Sequence, residues 1–281
     1  MGIETLTFGY GLIEGPRYAP DGSLYFSDVH NGGVRRMTPD GEVELVVPKR
    51  RGVGGIALHA DGGLVLSGRN VCHVRDGVTR ILYERDDVGG FNDLFADAKG
   101  RVMAGSLRDD PFGTAEPRRT GDCYRIDAPG VAVTLYEGVS LTNGIGFSPD
   151  GRVLYHCDTP VGVVAHDVDV DGGVVAGSRR VFATFTRGAP DGLAVDRDGG
   201  VWVAAVNAGA VVRFTPDGAL DRTIPIPSKM VTSLVFGGPD LDHLYVVTAD
   251  NTDDAARLGT VFRLSPDMVG AVGMPAPLVR I

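Results

Sequence analysis

Cysteine is scarce here, and where it occurs it is isolated. Cys72, Cys123 and Cys157 are the only three in 281 residues, and no two of them form a Cys-x-x-Cys pair. An odd count without paired spacing excludes a disulfide framework and a thiolate zinc site, and it predicts a reducing, cytoplasmic setting. Long apolar runs are absent too: nothing approaches the ~18 apolar residues that a membrane span needs. Met1-Gly-Ile-Glu4 lacks the basic start and apolar body of a secretory leader. Basic charge is in deficit, with 27 Lys and Arg against 36 Asp and Glu and a net charge of -9, so the footprint of a nucleic-acid binder is missing. There is no Gly-x-Ser-x-Gly elbow to mark a serine hydrolase. Gly52-Val-Gly-Gly55 lacks the Lys-Ser/Thr end of a phosphate loop and reads as a tight turn. These absences predict a soluble chain, a monomer or weak homo-oligomer, with neither nucleic acid nor membrane as partner.

What the chain has in abundance is turns. Its 41 glycines and 17 prolines punctuate short apolar runs, and 43% hydrophobic residues suffice for a sizeable core. One plan recurs: an oxygen-bearing residue in a short loop, an apolar strand, an Asp-Gly turn, another strand. It appears at Glu14-Gly-Pro-Arg-Tyr-Ala-Pro-Asp-Gly22, at Asn143-Gly-Ile-Gly-Phe-Ser-Pro-Asp-Gly151 and at Asp191-Gly-Leu-Ala-Val-Asp-Arg-Asp-Gly199. First turns fall near positions 21, 61, 99, 150, 198 and 240, and second turns near 40, 76, 129, 171, 217 and 266. Twelve half-cycles of two strands each make six units of about 40 to 50 residues, the blade period of a propeller. The expectation is an all-β, six-bladed β-propeller formed by residues 1–281 as a single domain. Glu4-Thr-Leu-Thr-Phe8 is expected to supply the outer strand of the C-terminal blade, so that terminal strand closure removes exposed edges. A β-sandwich is the rival, but radial repetition accounts for both the period and the recurring turns.

In a propeller the loop entering each innermost strand lies beside the central channel, so side chains from different blades converge there. Glu14, Asn143 and Asp191 offer oxygen ligands and two formal negative charges, a set suited to a hard divalent cation. Asn92 and Asp93 stand at the corresponding point of the third cycle. Asn and Asp also cap turns through their own backbone bonds, yet recurrence in register favours a shared site. A cation with open positions polarises a ring carbonyl and acidifies bound water, with Asp191 or Asp93 as proton acceptor and Asp191 preferred. His30, His59 and His73 read as turn or core histidines. His156, in Tyr155-His-Cys-Asp158, is a candidate substrate contact.

The motifs Ile13-Glu-Gly-Pro16, Phe91-Asn-Asp93, Leu141-Thr-Asn-Gly144 and Ala189-Pro-Asp-Gly192, followed by Val201-Trp-Val-Ala204 and Arg213-Phe214, resemble those of the senescence marker protein 30, regucalcin and gluconolactonase family. The resemblance spans essentially the whole chain. It implies a six-bladed propeller that holds one divalent cation, Ca2+ in the first place with Mg2+, Mn2+ or Zn2+ as alternatives, and hydrolyses a small lactone to its hydroxy acid. It assigns Glu14, Asn143 and Asp191 to the metal and Asn92 to the substrate. The chain also departs from the family: where sugar-lactone hydrolases commonly carry Arg two positions before the channel Asn, it has Gly90. Their Glu before the next strand is out of step here, at Glu116.

Loss of that Arg removes a rigid multidonor group, so sugar specificity is less secure than lactonase chemistry. Gly90 is expected to leave the channel open beside Asn92 for a small or modestly polar lactone, with Arg118 or Arg119, from the charged loop Asp109 to Arg119, as the alternative that would restore sugar binding. The alternatives are a metal-dependent esterase or phosphotriesterase of the same fold, and a protein-binding propeller with a structural cation.

Overall fold

The alternation of apolar runs and Asp-Gly turns builds six four-stranded antiparallel sheets in the computed structural model, which describes residues 2–114, 118–249 and 258–281. The first strand, β1 (Ile3–Tyr10), waits for the end of the chain. Blade 1 is β2 (Ile13–Tyr18), β3 (Leu24–Asp28), β4 (Val34–Met37) and β5 (Val43–Val47). Blade 2 is β6 (Ile56–Leu58), β7 (Leu64–Leu66), β8 (Val71–Arg75) and β9 (Val78–Tyr83). Blade 3 is β10 (Gly90–Ala96), β11 (Val102–Leu107), β12 (Gly121–Ala128) and β13 (Val131–Val139). Blade 4 is β14 (Thr142–Phe147), β15 (Val153–Asp158), β16 (Gly162–Asp167) and β17 (Arg180–Ala183). Blade 5 is β18 (Ala189–Val195), β19 (Val201–Val206), β20 (Ala210–Phe214) and β21 (Leu220–Pro225). Blade 6 is β22 (Val231–Gly237), β23 (His243–Thr248) and β24 (Gly259–Leu264), completed on its outer edge by β1.

The innermost strands touch one another in cyclic order, β2 to β6, β10, β14, β18, β22 and back to β2, so the sheets close into the expected six-bladed propeller. Closure by β1 runs from Ile3 opposite Leu264 to Tyr10 opposite Gly259 and leaves the ring without an open seam. Each interface between neighbouring blades is its own core. Ile13 and Phe26 of blade 1 pack on Val235 and Val261 of blade 6, for example, and Phe91 and Leu94 of blade 3 pack on Val65 and Leu82 of blade 2. A sheet buried on both faces explains why Val201-Trp-Val-Ala-Ala205 is fully apolar, whereas β5, on the rim, is largely exposed. Each large side chain in these seams contributes about 1.5–3 kcal/mol by burial.

Hairpins leaving the innermost strands lie on the lower face, and loops entering them lie on the upper. After α1 (Pro266–Val269) the C-terminal tail crosses the lower face. Gly273 N donates to Leu241 O at 2.7 Å in blade 6, Val279 N to Leu58 O at 2.8 Å in blade 2, and Arg280 N to Gly100 O at 2.8 Å in blade 3. No helix of the described residues is long and apolar enough to cross a membrane.

Candidate active site

The innermost strands do not pair evenly with their neighbours. Register slips between Glu14 and Arg17 in β2, Phe91 and Leu94 in β10, Thr142 and Ile145 in β14, and Pro190 and Leu193 in β18. Each slip is a bulge, and a bulge re-aims the side chains at its start. Glu14, Asn92, Asn143 and Asp191 all sit at this point, on four blades. Glycine follows three of them for a steric reason. A Cβ on Gly144 would run into the backbone of Asp191–Leu193 and one on Gly192 into Ser233, while Gly15 holds φ at 57° inside its bulge. Bare backbone at these points lets neighbouring inner strands approach closely enough for the side chains to meet.

The resulting layer is a set of oxygens short of positive charge. Asn92 Nδ2 donates to Thr142 O and to Asn143 Oδ1, both at 2.7 Å. Thr159 Oγ1 donates its single proton to Pro190 O at 3.0 Å, so it accepts from Asn143 Nδ2 at 2.6 Å. In this orientation Oδ1 faces inward, 3.0 Å from Asp191 Oδ1; with the amide turned over, its N–H donates to Asp191 Oδ1 at that distance and its oxygen accepts from Thr159 Oγ1 at 2.6 Å. The reverse orientation would offer Asp191 an N–H but set two amide nitrogens 2.7 Å apart, Asn143 against Asn92.

Burial, then the neighbouring Asp191 and Asp93, push the Glu14 carboxyl well above its ordinary range. Burial and Asp93 do the same to Asp191. Among the described residues no three His, Cys, Asp or Glu side chains form a metal-holding cluster. The set here mixes two carboxylates with an amide, and two carboxyls whose burial and charged neighbours favour the neutral form are what a hard cation would satisfy. Glu14, Asn143 and Asp191 therefore fit such an ion, and with so few protein donors most of its coordination would be left for water or substrate.

Asp93 lies just beyond this layer. Its carboxylate accepts from Leu94 N at 2.7 Å and from the Ile145 amide, and burial raises it to about 6 against the opposing pull of Arg17. It borders a cavity on the lower side.

The other expected contacts are placed differently. His156 is fully buried in β15, with Nε2 paired to Thr142 Oγ1 at 2.7 Å and Nδ1 to Tyr136 OH at 2.6 Å. It supports the strand carrying Asn143 and has no surface to offer a substrate. Gly90 leaves no open space beside Asn92, because a Cβ there would stand 2.7 Å from the Gly68 carbonyl oxygen. Arg118 donates to Pro111 O and Gly113 O, and Arg119 is bound to Asp109, so both brace their own loop. That loop reaches from blade 3 to blade 1, where the mostly exposed Phe112 ring meets His30 at 5.3 Å between centroids. Glu116 lies outside the described residues.

Thr159 and the Tyr136–His156–Thr142 support were not anticipated, since neither occupies a recurring position in the repeat. Burial holds His156 at about 3 and His166, stacked on Tyr136, at about 4. Below the ordinary histidine value near ~6.5 the unfolded chain takes up protons that the folded one refuses, so stability falls with pH through these residues. Thermal denaturation between pH 7 and 5 should show a shallower loss in His156→Gln than in wild type, and parallel curves would exclude this contribution.

Residues 12–250 match the family described as the SMP-30/gluconolactonase/LRE-like region. The chain is 35% identical to pentonolactonase XacC of Haloferax volcanii, over 94% of this chain and 93% of that protein. It is 33% identical to a 6-deoxy-6-sulfogluconolactonase of Pseudomonas putida, over 84% of this chain and 82% of the relative. The solved structure of regucalcin from Agrobacterium tumefaciens, described as a calcium-binding protein, superposes with a TM-score of 0.85 at 25% identity, covering 100% of this chain and 98% of that one.

Proposed function

The chain belongs to the SMP-30/gluconolactonase/LRE-like family, and from that premise we propose that it is a divalent-metal-dependent lactonase, opening a small cyclic ester to its hydroxy acid. The observation that carries this reading is the convergence of Glu14, Asn143 and Asp191 from three blades, with the Asn143 amide 3.0 Å from Asp191 Oδ1 and both carboxyls pushed upward by burial. Ca2+ is the preferred ion for so oxygen-rich a set. When bound, it would supply Lewis-acid polarisation of the lactone carbonyl and a more acidic water.

The protein's own groups have separate tasks. Asn92, with Nδ2 committed to Thr142 O and Asn143 Oδ1, positions the cradle and offers its own oxygen to a hydroxyl or water. Asp191 is the proton acceptor, since it lies within the layer, whereas the Asp93 carboxylate is tied to the Leu94 and Ile145 amides. Asp93 helps keep Asp191 basic by repulsion. Phe112, with the braced residues Asp109, Arg118 and Arg119, selects among substrates.

The sugar-lactone names of the relatives support a hydroxylated lactone, with recognition coming from groups other than an Arg at position 90. Three buried free cysteines support a reducing, cytoplasmic setting. A proton-release assay on an aldonolactone, an unsubstituted δ-lactone, linear esters and a phosphotriester is the test. Lactone turnover should vanish on chelation and return with Ca2+, Mg2+, Mn2+ or Zn2+. Turnover confined to the linear ester or phosphotriester would move the protein to the esterase class, and no turnover with any ion would sink an enzymatic role.

A further inference from the structure

Below the oxygen layer the channel opens into a cavity of about 920 Å³. Its deep end is bordered by Gly15, Arg17 and Asp93, and its walls by the lower halves of five innermost strands. Phe95, Phe147, Leu193, Val235 and Phe236 make those walls apolar. The tail supplies the floor: Met274 to Pro277 line the mouth, between the backbone anchors at Gly273 and Val279. This volume is near the top of the range for small-molecule sites, with apolar walls at the strands and charged side chains such as Lys99, Arg101, Asp150 and Arg152 on the hairpins that rim it.

Arg17 is the polar group that gives the cavity a chemical preference. Its Nε donates to Ile56 O at 2.7 Å, and its guanidinium carbon stands 5.5 Å from the centre of the Phe95 ring. Its terminal nitrogens make no hydrogen bond among the described residues; the rest of the deep end is backbone, apolar side chains, the Ser233 hydroxyl and Asp93, whose carboxylate lies in the field of Arg17 but bonds the Leu94 and Ile145 amides. A guanidinium with free donors, held rigid against a ring, is shaped for a carboxylate.

We propose that the lower channel is a second ligand site, for a small amphipathic monocarboxylate whose acid group is held by Arg17 and whose apolar body lies along Phe95, Phe147, Leu193 and Val235. The site is separate from the lactone chemistry, and its ligand is an aryl or alkyl acid rather than a polyhydroxylated one. Met274 to Pro277 line one side of the mouth, opposite the hairpins at residues 97–101 and 148–152.

Isothermal titration with 4-phenylbutyrate, hexanoate and the uncharged 4-phenylbutanol tests it, on the metal-loaded protein. Both acids should bind saturably, and the alcohol at least ~10-fold more weakly, the loss expected for a charge-assisted pair. Arg17→Met should weaken the acids by a similar factor, while Arg17→Lys keeps most of the affinity. Val235→Trp should fill the cavity and abolish binding with lactone turnover retained, and circular dichroism shows whether each variant is folded. Absence of saturation in wild type up to about 10 mM, or equal affinity in folded Arg17→Met, overturns the proposal.

Discussion

Asp191→Asn is expected to reduce lactone hydrolysis by roughly 10²–10³-fold or more, the scale on which losing one electrostatic stabiliser acts, while the protein stays folded. Glu14→Gln should do the same. Asp191 is buried and Glu14 half-buried, and burial first, then the neighbouring carboxylates, pushes each toward its neutral form. Without a cation the cluster is a liability. Removing one negative charge should therefore leave the melting temperature of chelated protein unchanged or higher, the opposite of what a merely structural residue would do. In wild type, added Ca2+ should raise the melting temperature by linkage, and in Asp191→Asn that rise should shrink or disappear. Calorimetry with and without the ion, beside an activity assay, separates the readings. If Asp191→Asn lowers stability in chelator and keeps its turnover, the carboxylate is an architectural group and the assignment fails.

How much of this was readable beforehand depends on the range of the interaction. The blade count was legible because each hairpin is local: an Asp-Gly turn and two apolar strands are written within about 15 residues, and the repeat multiplies the signal. The four layer positions were legible for the same reason, since Glu14, Asn92, Asn143 and Asp191 occupy one register point in copies of one motif. What decides their chemistry is not local. The Asn143 amide answers to Thr159, itself bonded to Pro190 in the next blade, and to Asn92 and Asp191 from two other blades. His156 looked like a channel residue because it ends a motif near the right turn, yet as part of a second strand it pairs opposite Ile145 and is enclosed by Tyr136 and Thr142. The missing Arg at Gly90 was visible as an absence, but the carbonyl of Gly68 that occupies the space comes from the preceding blade. The tail that floors the channel carries no periodic pattern, and its anchors lie on blades 2, 3 and 6.

The second large effect concerns Asp196, which was read from the sequence only as part of a turn. Its side chain is fully buried at the lower end of blade 5. Oδ1 accepts from Asp198 N at 3.0 Å and Gly200 N at 2.7 Å, which shapes the hairpin. Oδ2 accepts from Trp202 Nε1 and from Arg213 Nε, each at 2.8 Å. Trp202 is itself fully buried and meets Phe236 of blade 6 edge-on at 5.7 Å, so one carboxylate ties a turn, an indole and a guanidinium to the seam between two blades. Asp196→Ala leaves all four donors without their acceptor in a place water does not reach. The expected cost is about 3–5 kcal/mol, as for a buried pair deprived of one partner. For a chain of this size that is a fall of roughly 6–20 °C in melting temperature. Asp217→Ala is the control: its carboxylate bonds the Thr215 hydroxyl in an exposed turn of the same blade, and its loss should stay within about 0.5 kcal/mol. Below its new melting temperature Asp196→Ala should retain lactone turnover, because the hairpin it shapes is at the opposite face from Glu14, Asn143 and Asp191. Denaturant titration of the two variants gives the comparison directly. Equal midpoints would mean that Arg213 finds in Asp221, already 3.0 Å from its Nη1, all the compensation the seam requires.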